Sequence, residues 1–234
     1  MSCSVRSCWK PCESIGGGAE TQTQRVVISG RALAHCQSSH HSQGSVECLQ
    51  KSCVTRWLVS ERYVRAFPGG TGDTKPAGNY AAALLADQEA RDAGCNSVMW
   101  LDAQEHRNVE ECGVMNVFFV LGEDVVTPPL SGTILPGITR DSVITLLHDM
   151  GYRVKEDRIS MDDLLKSYER GELRECFGTG TAATVSHVRR IRYKDQTLEL
   201  PPVEQRNVGV AVREKLLAVM TGREPDTRGW VESI

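Results

Sequence analysis

The stretch PGGTGDTKPAGNYAAALLADQEARDAG, residues 68–94, sets one lysine between a glycine-rich loop and an alanine-rich helix. Glycine and proline at 68–72 mark a loop, not the interior of a helix or strand. Asn79 is predicted to cap the helix, and Gly94 to end it. Between loop and helix lies Lys75, an amine that can form an imine with an aldehyde if it is buried enough to lose its proton. The alternative is an ordinary lysine on a surface loop.

The bulk properties exclude several classes of protein. With 234 residues, 40% of them hydrophobic, the chain can form one large domain or two small ones. A net charge of −3 argues against a nucleic-acid partner. No stretch approaches the ~20 apolar residues that cross a bilayer, and the opening MSCSVRSCWK lacks the apolar core of a secretion signal. A cytoplasmic protein without a membrane partner is therefore predicted.

The first part of the chain, residues 1–53, is irregular in composition. It is rich in Ser, Gln, His and Gly and contains six of the nine cysteines, and only 26–30 resembles a strand. Such a segment has little apolar surface to offset the entropy of ordering, so we predict that it is poorly ordered. Six cysteines and histidines of this segment could be interpreted as metal ligands: His35, Cys36, His40, His41, Cys48 and Cys53. They do not have the paired spacing of zinc ligands, so no metal site is predicted.

The second part, residues 54–234, has regular patterning and is predicted to form one domain. Strands are predicted at 98–102, 117–121, 125–129, 152–159, 172–177 and 185–193. Helices are predicted to begin at the caps Thr139 and Ser160, and a last amphipathic helix runs through 208–219. Strands and helices do not alternate strictly, which indicates a mixed α/β or α+β domain.

Four motifs follow one another in this second part. They are KPAGNY at 75–80, WLD with EECGVMNVFF at 100–119, TPPLSGTILPGITRDS at 127–142, and ECFGTGTAATVSHV at 175–188. In this order and spacing they resemble the large domain of fold-type IV pyridoxal-phosphate enzymes, the D-amino acid aminotransferase-like fold. The resemblance is strongest to the branched-chain amino acid aminotransferases, particularly bacterial members with YVRAxPGGTG before the lysine, here 63–72.

The resemblance implies a cofactor, pyridoxal 5'-phosphate, and roles for three side chains around its ring. Lys75 matches the lysine that forms the Schiff base and shuttles a proton. Tyr80 matches the tyrosine that hydrogen-bonds the phenolic oxygen; its alternative is core packing at a helix start. Glu111 matches the glutamate beside the pyridine nitrogen, where a carboxylate favours the protonated ring. Without the resemblance, Glu111 would be interpreted as a solvated acid.

Two turns complete the implied site. Ile138 and Thr139 match the turn whose backbone N–H groups receive the phosphate, and LPGIT independently opens a predicted helix, whose N-terminus attracts anions. Thr181 matches a second phosphate contact through its hydroxyl. Ala182 and Ala183 match backbone amides that meet the substrate carboxylate. The alternative is a plain glycine-rich turn between two strands.

The sequence also departs from the family pattern. A single glycine, Gly78, precedes the Asn-Tyr pair where members have two, and Pro76 biases Lys75 toward extended backbone. Residues 1–53 show no counterpart of the family's small N-terminal domain, which supplies a phosphate-binding arginine and part of the substrate pocket. That domain is expected to be missing or replaced.

The leading interpretation is transfer of the amino group of leucine, isoleucine or valine to 2-oxoglutarate, by a homodimer. A second enzyme interpretation keeps the fold and changes the reaction to D-amino acid transamination or aminodeoxychorismate lyase chemistry. A third is a truncated, catalytically silent relative that serves at most as a dimerising module.

Overall fold

A computed structural model describes residues 54–232, which form one large mixed sheet with helices packed against it. The strands are β1 (Val54–Val59), β2 (Ser97–Leu101), β3 (Val109–Cys112), β4 (Met115–Leu121), β5 (Asp124–Thr127), β6 (Arg153–Glu156), β7 (Leu173–Gly180), β8 (Thr184–Tyr193) and β9 (Gln196–Glu199). The helices are α1 (Ala77–Ala81), α2 (Leu84–Asp92), α3 (Ile138–Asp149), α4 (Met161–Glu169) and α5 (Val208–Met220), with a 3-10 turn at Val203–Gln205. No helix of this part is long and apolar enough to cross a membrane. The irregular segment 1–53, with its expected strand at 26–30, lies outside the described residues.

The sheet closes on itself. Its strands run in the order β3-β2-β1-β8-β7-β4-β5-β6, and β3 also pairs with β4, so that six strands form a ring from which β5 and β6 extend. Three pairings are parallel (β1 with β2, β1 with β8, β5 with β6), and the others are antiparallel. Closure leaves these six strands without a free edge. The predicted mixed α/β fold is confirmed.

Strand β4 separates the two largest apolar clusters, because successive side chains of a strand point to opposite faces. Val117 and Phe119 belong to the cluster that also contains Trp57 and Leu164 of α4. Phe118 lies on the other face, where its ring stacks on a β7 phenylalanine at 5.2 Å, in the cluster that α3 and α5 cover. A continuous apolar run therefore forms a strand that is buried on both sides.

The sheet register aligns polar residues of three strands in one row. Glu111 of β3 pairs with Asn116 of β4, and Asn116 pairs with Thr179 of β7. The hairpin between β7 and β8, residues 181–183, begins two residues beyond Thr179. Motifs far apart in sequence therefore meet at one end of these strands.

Two predicted helix caps are wrong. Asn79 lies inside α1, not at its N-cap, and α2 begins only at Leu84. The Asn79 amide donates to the backbone oxygens of Thr71 and Thr74 at 2.8 and 3.2 Å, so it binds the preceding loop. Thr139 lies in the first turn of α3, whose N-cap is Gly137.

Other local predictions are confirmed or corrected by small shifts. Ser160 caps α4, where its hydroxyl oxygen accepts from Asp163 N at 3.1 Å. Strand β5 ends at Thr127 and not at 129, because the two prolines that follow have no N–H to donate. Strand β6 is shorter than predicted and β7 longer, and β1, β3 and β9 were not predicted.

Candidate active site

A cleft near the end of β3 collects residues from three segments of the chain. Its lining comes from the loop and helices that follow β1, from the β3–β4 turn and from the segment before α3: Arg65, Thr74, Asn79, Tyr80, Ala83, Glu111, Gly113, Val114 and Leu135. The predicted cofactor residues Tyr80 and Glu111 therefore face the same cleft. Their proximity is set by the tertiary structure, because β3 and α1 are not neighbours in sequence.

Glu111 is the one carboxylic acid among the described residues that line the cleft, and 3% of its surface is exposed. Its Oε1 accepts from the backbone N–H of Leu135 at 3.0 Å and from Asn116 Nδ2 at 3.2 Å. Its Oε2 lies 2.5 Å from Arg65 Nε, an ion pair and not a well-aligned hydrogen bond. Burial raises the pKa of Glu111 to about 7, although Arg65 opposes this rise. The carboxyl group can therefore change charge near neutral pH, as groups at active sites often do.

Arg65 was not assigned a role from the sequence, although it lies within the YVRA motif that contributed to the resemblance. Its guanidinium also donates to the backbone oxygens of Gly72 and Thr133, both at 2.6 Å. An arginine buried among carbonyl groups cannot be distinguished in sequence from one on the surface, because its partners are distant along the chain.

Tyr80 projects from α1 and is 39% exposed. Partial desolvation of its hydroxyl raises its pKa, while Arg65 lowers it and Glu111 raises it. The hydroxyl is therefore protonated at neutral pH and can donate a hydrogen bond. Its electrostatic coupling to both Arg65 and Glu111 places it in the same charged cluster.

The Asn116 side chain packs against the segment that leads into the N-terminus of α3. Asn116 Nδ2 donates to Leu135 O at 2.8 Å, and a side chain at Gly137 would overlap Asn116 Oδ1. Gly137 provides no side-chain cap, so the first backbone N–H groups of the helix have no such partner. Ile138 is half-buried and Thr139 is buried. Uncapped amides at the positive end of a twelve-residue helix favour an anion such as phosphate.

The β7–β8 hairpin supplies the second turn. Thr181 and Ala182 are exposed, and Ala183 is half-buried. Two residues earlier, Thr179 is buried, and its Oγ1 has no hydrogen-bond partner among the described residues. A hydroxyl buried without a partner beside an open turn fits a ligand that brings its own polar atoms.

The loop around Lys75 is fixed on both sides, but the lysine side chain is exposed. Arg65 holds the carbonyl of Gly72, and Asn79 holds that of Thr74. Thr74 and Asn79 line the cleft, and Lys75 is not among the described residues that line it. The structure thus places the backbone of the lysine loop at the cleft.

Comparison with known proteins identifies the family. The family model described as amino-transferase class IV matches residues 10–191. The chain belongs to the class IV aminotransferases. The match begins within the segment 1–53 that composition sets apart.

Class IV relatives with high similarity carry the branched-chain name. The chain is 47% identical over 182 residues to the branched-chain-amino-acid aminotransferase of Mycobacterium tuberculosis (strain ATCC 25618 / H37Rv), which covers 76% of this chain and 49% of that protein. It is 46% identical over 176 residues to the probable branched-chain-amino-acid aminotransferase of Staphylococcus epidermidis (strain ATCC 12228 / FDA PCI 1200), covering 75% and 49%. The chain spans about half the length of the curated relatives it matches.

Solved structures of class IV aminotransferases share the fold. The branched-chain aminotransferase of the thermophilic archaeon Thermoproteus uzoniensis, solved with norvaline, has a TM-score of 0.65 at 27% identity, covering 78% of this chain and 57% of that chain. The Escherichia coli branched-chain amino acid aminotransferase has a TM-score of 0.64 at 29% identity, covering 76% and 57%. The predicted fold-type IV architecture is confirmed.

Proposed function

We propose that the chain is the cofactor-binding part of a branched-chain aminotransferase, which transfers the amino group of leucine, isoleucine or valine to 2-oxoglutarate with pyridoxal 5'-phosphate. One observation carries the proposal: a buried carboxyl, Glu111, lines one cleft with Tyr80 and accepts from the backbone N–H of Leu135, three residues before the uncapped N-terminus of α3. The names of the relatives support the branched-chain substrates. The turn GTGTAA and the YVRAFPGGTG approach support this group over D-amino acid transamination and lyase chemistry.

The residues present fit pyridoxal phosphate at its ring. When bound, this cofactor supplies an electron sink for the carbanion formed at the substrate α-carbon. Glu111 is proposed to lie beside the pyridine nitrogen, where its negative charge favours the protonated ring. Tyr80 is proposed to donate a hydrogen bond from its hydroxyl to the phenolic oxygen. Lys75 is proposed to attach the cofactor through its amine and to move the proton at the α-carbon.

The turn at the start of α3 and the β7–β8 hairpin offer groups for the cofactor phosphate and the substrate carboxylate. The backbone amides of Ile138 and Thr139 and the hydroxyl of Thr181 are proposed to bind the phosphate. The amides of Ala182 and Ala183 are proposed to meet the substrate carboxylate, where small side chains permit close approach.

The same proposal includes a homodimer in the cytoplasm. Large apolar side chains are exposed close to the cleft: Leu84 and Leu85 are 63% and 65% exposed, and Val114 is 71% exposed. These exposed apolar side chains support the proposal that another polypeptide covers this surface. Such a cover would also exclude water from the cleft.

A second candidate is a catalytically silent relative that serves as a dimerising module. It is favoured by the exposed side chain of Lys75. The two candidates differ in whether the lysine captures the cofactor and in whether amino groups are transferred.

The test of the proposal is cofactor capture by one amine. The purified chain, mixed with pyridoxal phosphate, is expected to develop the absorbance band of lysine-bound cofactor, and Lys75→Ala is expected to lack it. Borohydride reduction followed by peptide mass analysis should then locate the cofactor on Lys75. Leucine with 2-oxoglutarate tests turnover separately, and a panel of D-amino acids and aminodeoxychorismate tests the alternative reactions. If wild-type protein shows no band, the silent relative is the better description.

A further inference from the structure

Arg65 makes three contacts from a single, almost buried guanidinium. Its side chain is 9% exposed, and Nε lies 2.5 Å from Glu111 Oε2. One terminal nitrogen donates to Gly72 O and to Thr133 O, both at 2.6 Å. Both carbonyls belong to loops, so neither contact is part of a helix or a strand pairing.

These three contacts join the three parts of the proposed cofactor site. Gly72 lies three residues before Lys75, and Thr133 lies five residues before Ile138 at the start of α3. The two loops touch directly, because a Cβ at Gly72 would lie 2.6 Å from Thr133 O. Arg65 is thus the side chain that bonds to the lysine loop, the segment before α3 and the buried carboxylate together.

We propose that Arg65 is a positioning residue that pairs with the Glu111 carboxyl beside the cofactor ring, favours its ionised form, and holds the lysine loop against the segment leading to α3. The consequence for the cofactor rests on the proposed function. The effect on Glu111 does not, since it is a property of the chain without any ligand.

The electrostatic argument depends on the groups that face Glu111. Burial and the neighbouring carboxyl Glu110 raise its pKa, whereas Arg65 and the backbone N–H of Leu135 lower it. Tyr80 lines the same cleft and its hydroxyl is protonated near neutral pH. Without Arg65, a buried carboxylate would lose its counter-charge, and a group in that position takes up a proton instead. A neutral Glu111 no longer favours the protonated pyridine ring.

Four variants separate charge from geometry. Arg65→Met removes the charge and every hydrogen bond. Arg65→Lys keeps a positive charge but has one nitrogen in place of the two that contact Glu111 and the carbonyls. Arg65→Met with Glu111→Gln removes both charges together. Arg62→Met is the matched control, because Arg62 is three residues away and its side chain is 73% exposed in a surface pair with Glu89.

The first experiment uses cofactor-free protein, in which carbon-13 NMR of labelled glutamate carboxyls is followed against pH and Glu111→Gln assigns the signal. The pKa of Glu111 is expected at about 7 in wild type and in Arg62→Met. In Arg65→Met it should rise to about 8 or higher, since a close opposite charge depresses a carboxyl pKa by roughly one unit or more. Arg65→Lys should stay near wild type. An unchanged pKa in Arg65→Met overturns the proposal.

If Arg65→Met folds poorly, the double variant decides. At a pH about one unit above the raised pKa of Glu111, loss of stability through an unpaired buried charge is relieved when Glu111 becomes glutamine, whereas loss through the carbonyl contacts alone is not. Urea unfolding in which the double variant is no more stable than Arg65→Met therefore rejects the ionic role of Arg65.

The second experiment adds pyridoxal phosphate and records its absorbance against pH together with its dissociation constant. We expect Arg65→Met to bind at least about tenfold more weakly and to shift the pH profile, with Arg62→Met unchanged. Equal binding and equal profiles in wild type and Arg65→Met reject the positioning role. If wild type itself fails to bind, the proposed function fails, and the NMR titration still tests the Arg65–Glu111 pair.

Discussion

Replacing Glu111 by glutamine should change how the stability of the cofactor-free chain depends on pH. The folded pKa of Glu111 is about 7, against an ordinary value of 4.5, because the group is buried. A raised carboxyl pKa means that the folded state binds more protons than the unfolded state between these two values. The free energy of unfolding therefore falls as the pH rises through this window, and it is constant above and below.

The size of the effect follows from the pKa difference. Each pH unit between the two values corresponds to about 1.36 kcal/mol, so ionisation of Glu111 lowers stability by about 3 kcal/mol in total. Between about pH 5 and about pH 8, wild type should lose about 2–3 kcal/mol relative to Glu111→Gln. Glutamine cannot ionise, so this part of the pH dependence disappears in the variant.

Urea unfolding of both proteins at several pH values measures the difference directly. Other titrating groups are common to both proteins and cancel in the comparison. Glu89→Gln, which removes a surface carboxylate instead, should follow the wild-type curve. If wild type and Glu111→Gln show parallel curves across the window, Glu111 does not titrate near neutral pH and the electrostatic description of the cleft is wrong.

Three further predictions use the same unfolding assay. Burial lowers the pKa of His187 to about 4. The free energy of unfolding of wild type should therefore fall by about 2–3 kcal/mol as the pH falls from 6.5 towards 4, and that of His187→Gln should not. Parallel curves for the two proteins would contradict this. Gly72→Ala should cost about 1–3 kcal/mol because its Cβ meets the backbone of Thr133, whereas Gly78→Ala, with nothing within 4 Å, should be neutral or slightly stabilising. Ser160→Ala should cost about 1 kcal/mol by removing the cap of α4, and an unchanged midpoint would show that the cap is dispensable.

The Glu111 prediction has a functional meaning if the proposed function holds. Burial makes ionisation of the Glu111 carboxyl unfavourable in the folded chain. In the proposed function, this carboxyl lies where a protonated cofactor nitrogen would pair with its negative charge. Arg65 reduces this penalty without removing it, which leaves the pKa near neutrality. Binding of a protonated ring at this position would be expected to stabilise the fold, because it pairs the buried charge.

Local patterns predicted most of the elements correctly. The cap at Ser160 was recognised because a hydroxyl and an N–H three residues apart interact within one turn. The helix after LPGIT was recognised from its apolar spacing. The cap at Asn79 was wrong for a related reason: its amide binds backbone oxygens five and eight residues upstream, which the short-range rule does not consider.

The order of the four motifs, with the residue types within them, was enough to indicate the class IV family and to select Tyr80 and Glu111. The pairing of Glu111 with Arg65 could not be read from the sequence, since the two residues are far apart along the chain and meet only in the folded sheet, where β1, β2 and β3 lie side by side. The charge state of Glu111 likewise depends on burial, which no single segment specifies. The motifs show which chemical groups are present. The pKa values of these groups and the distances between them depend on packing between segments, because packing excludes water and decides which partners lie within contact distance.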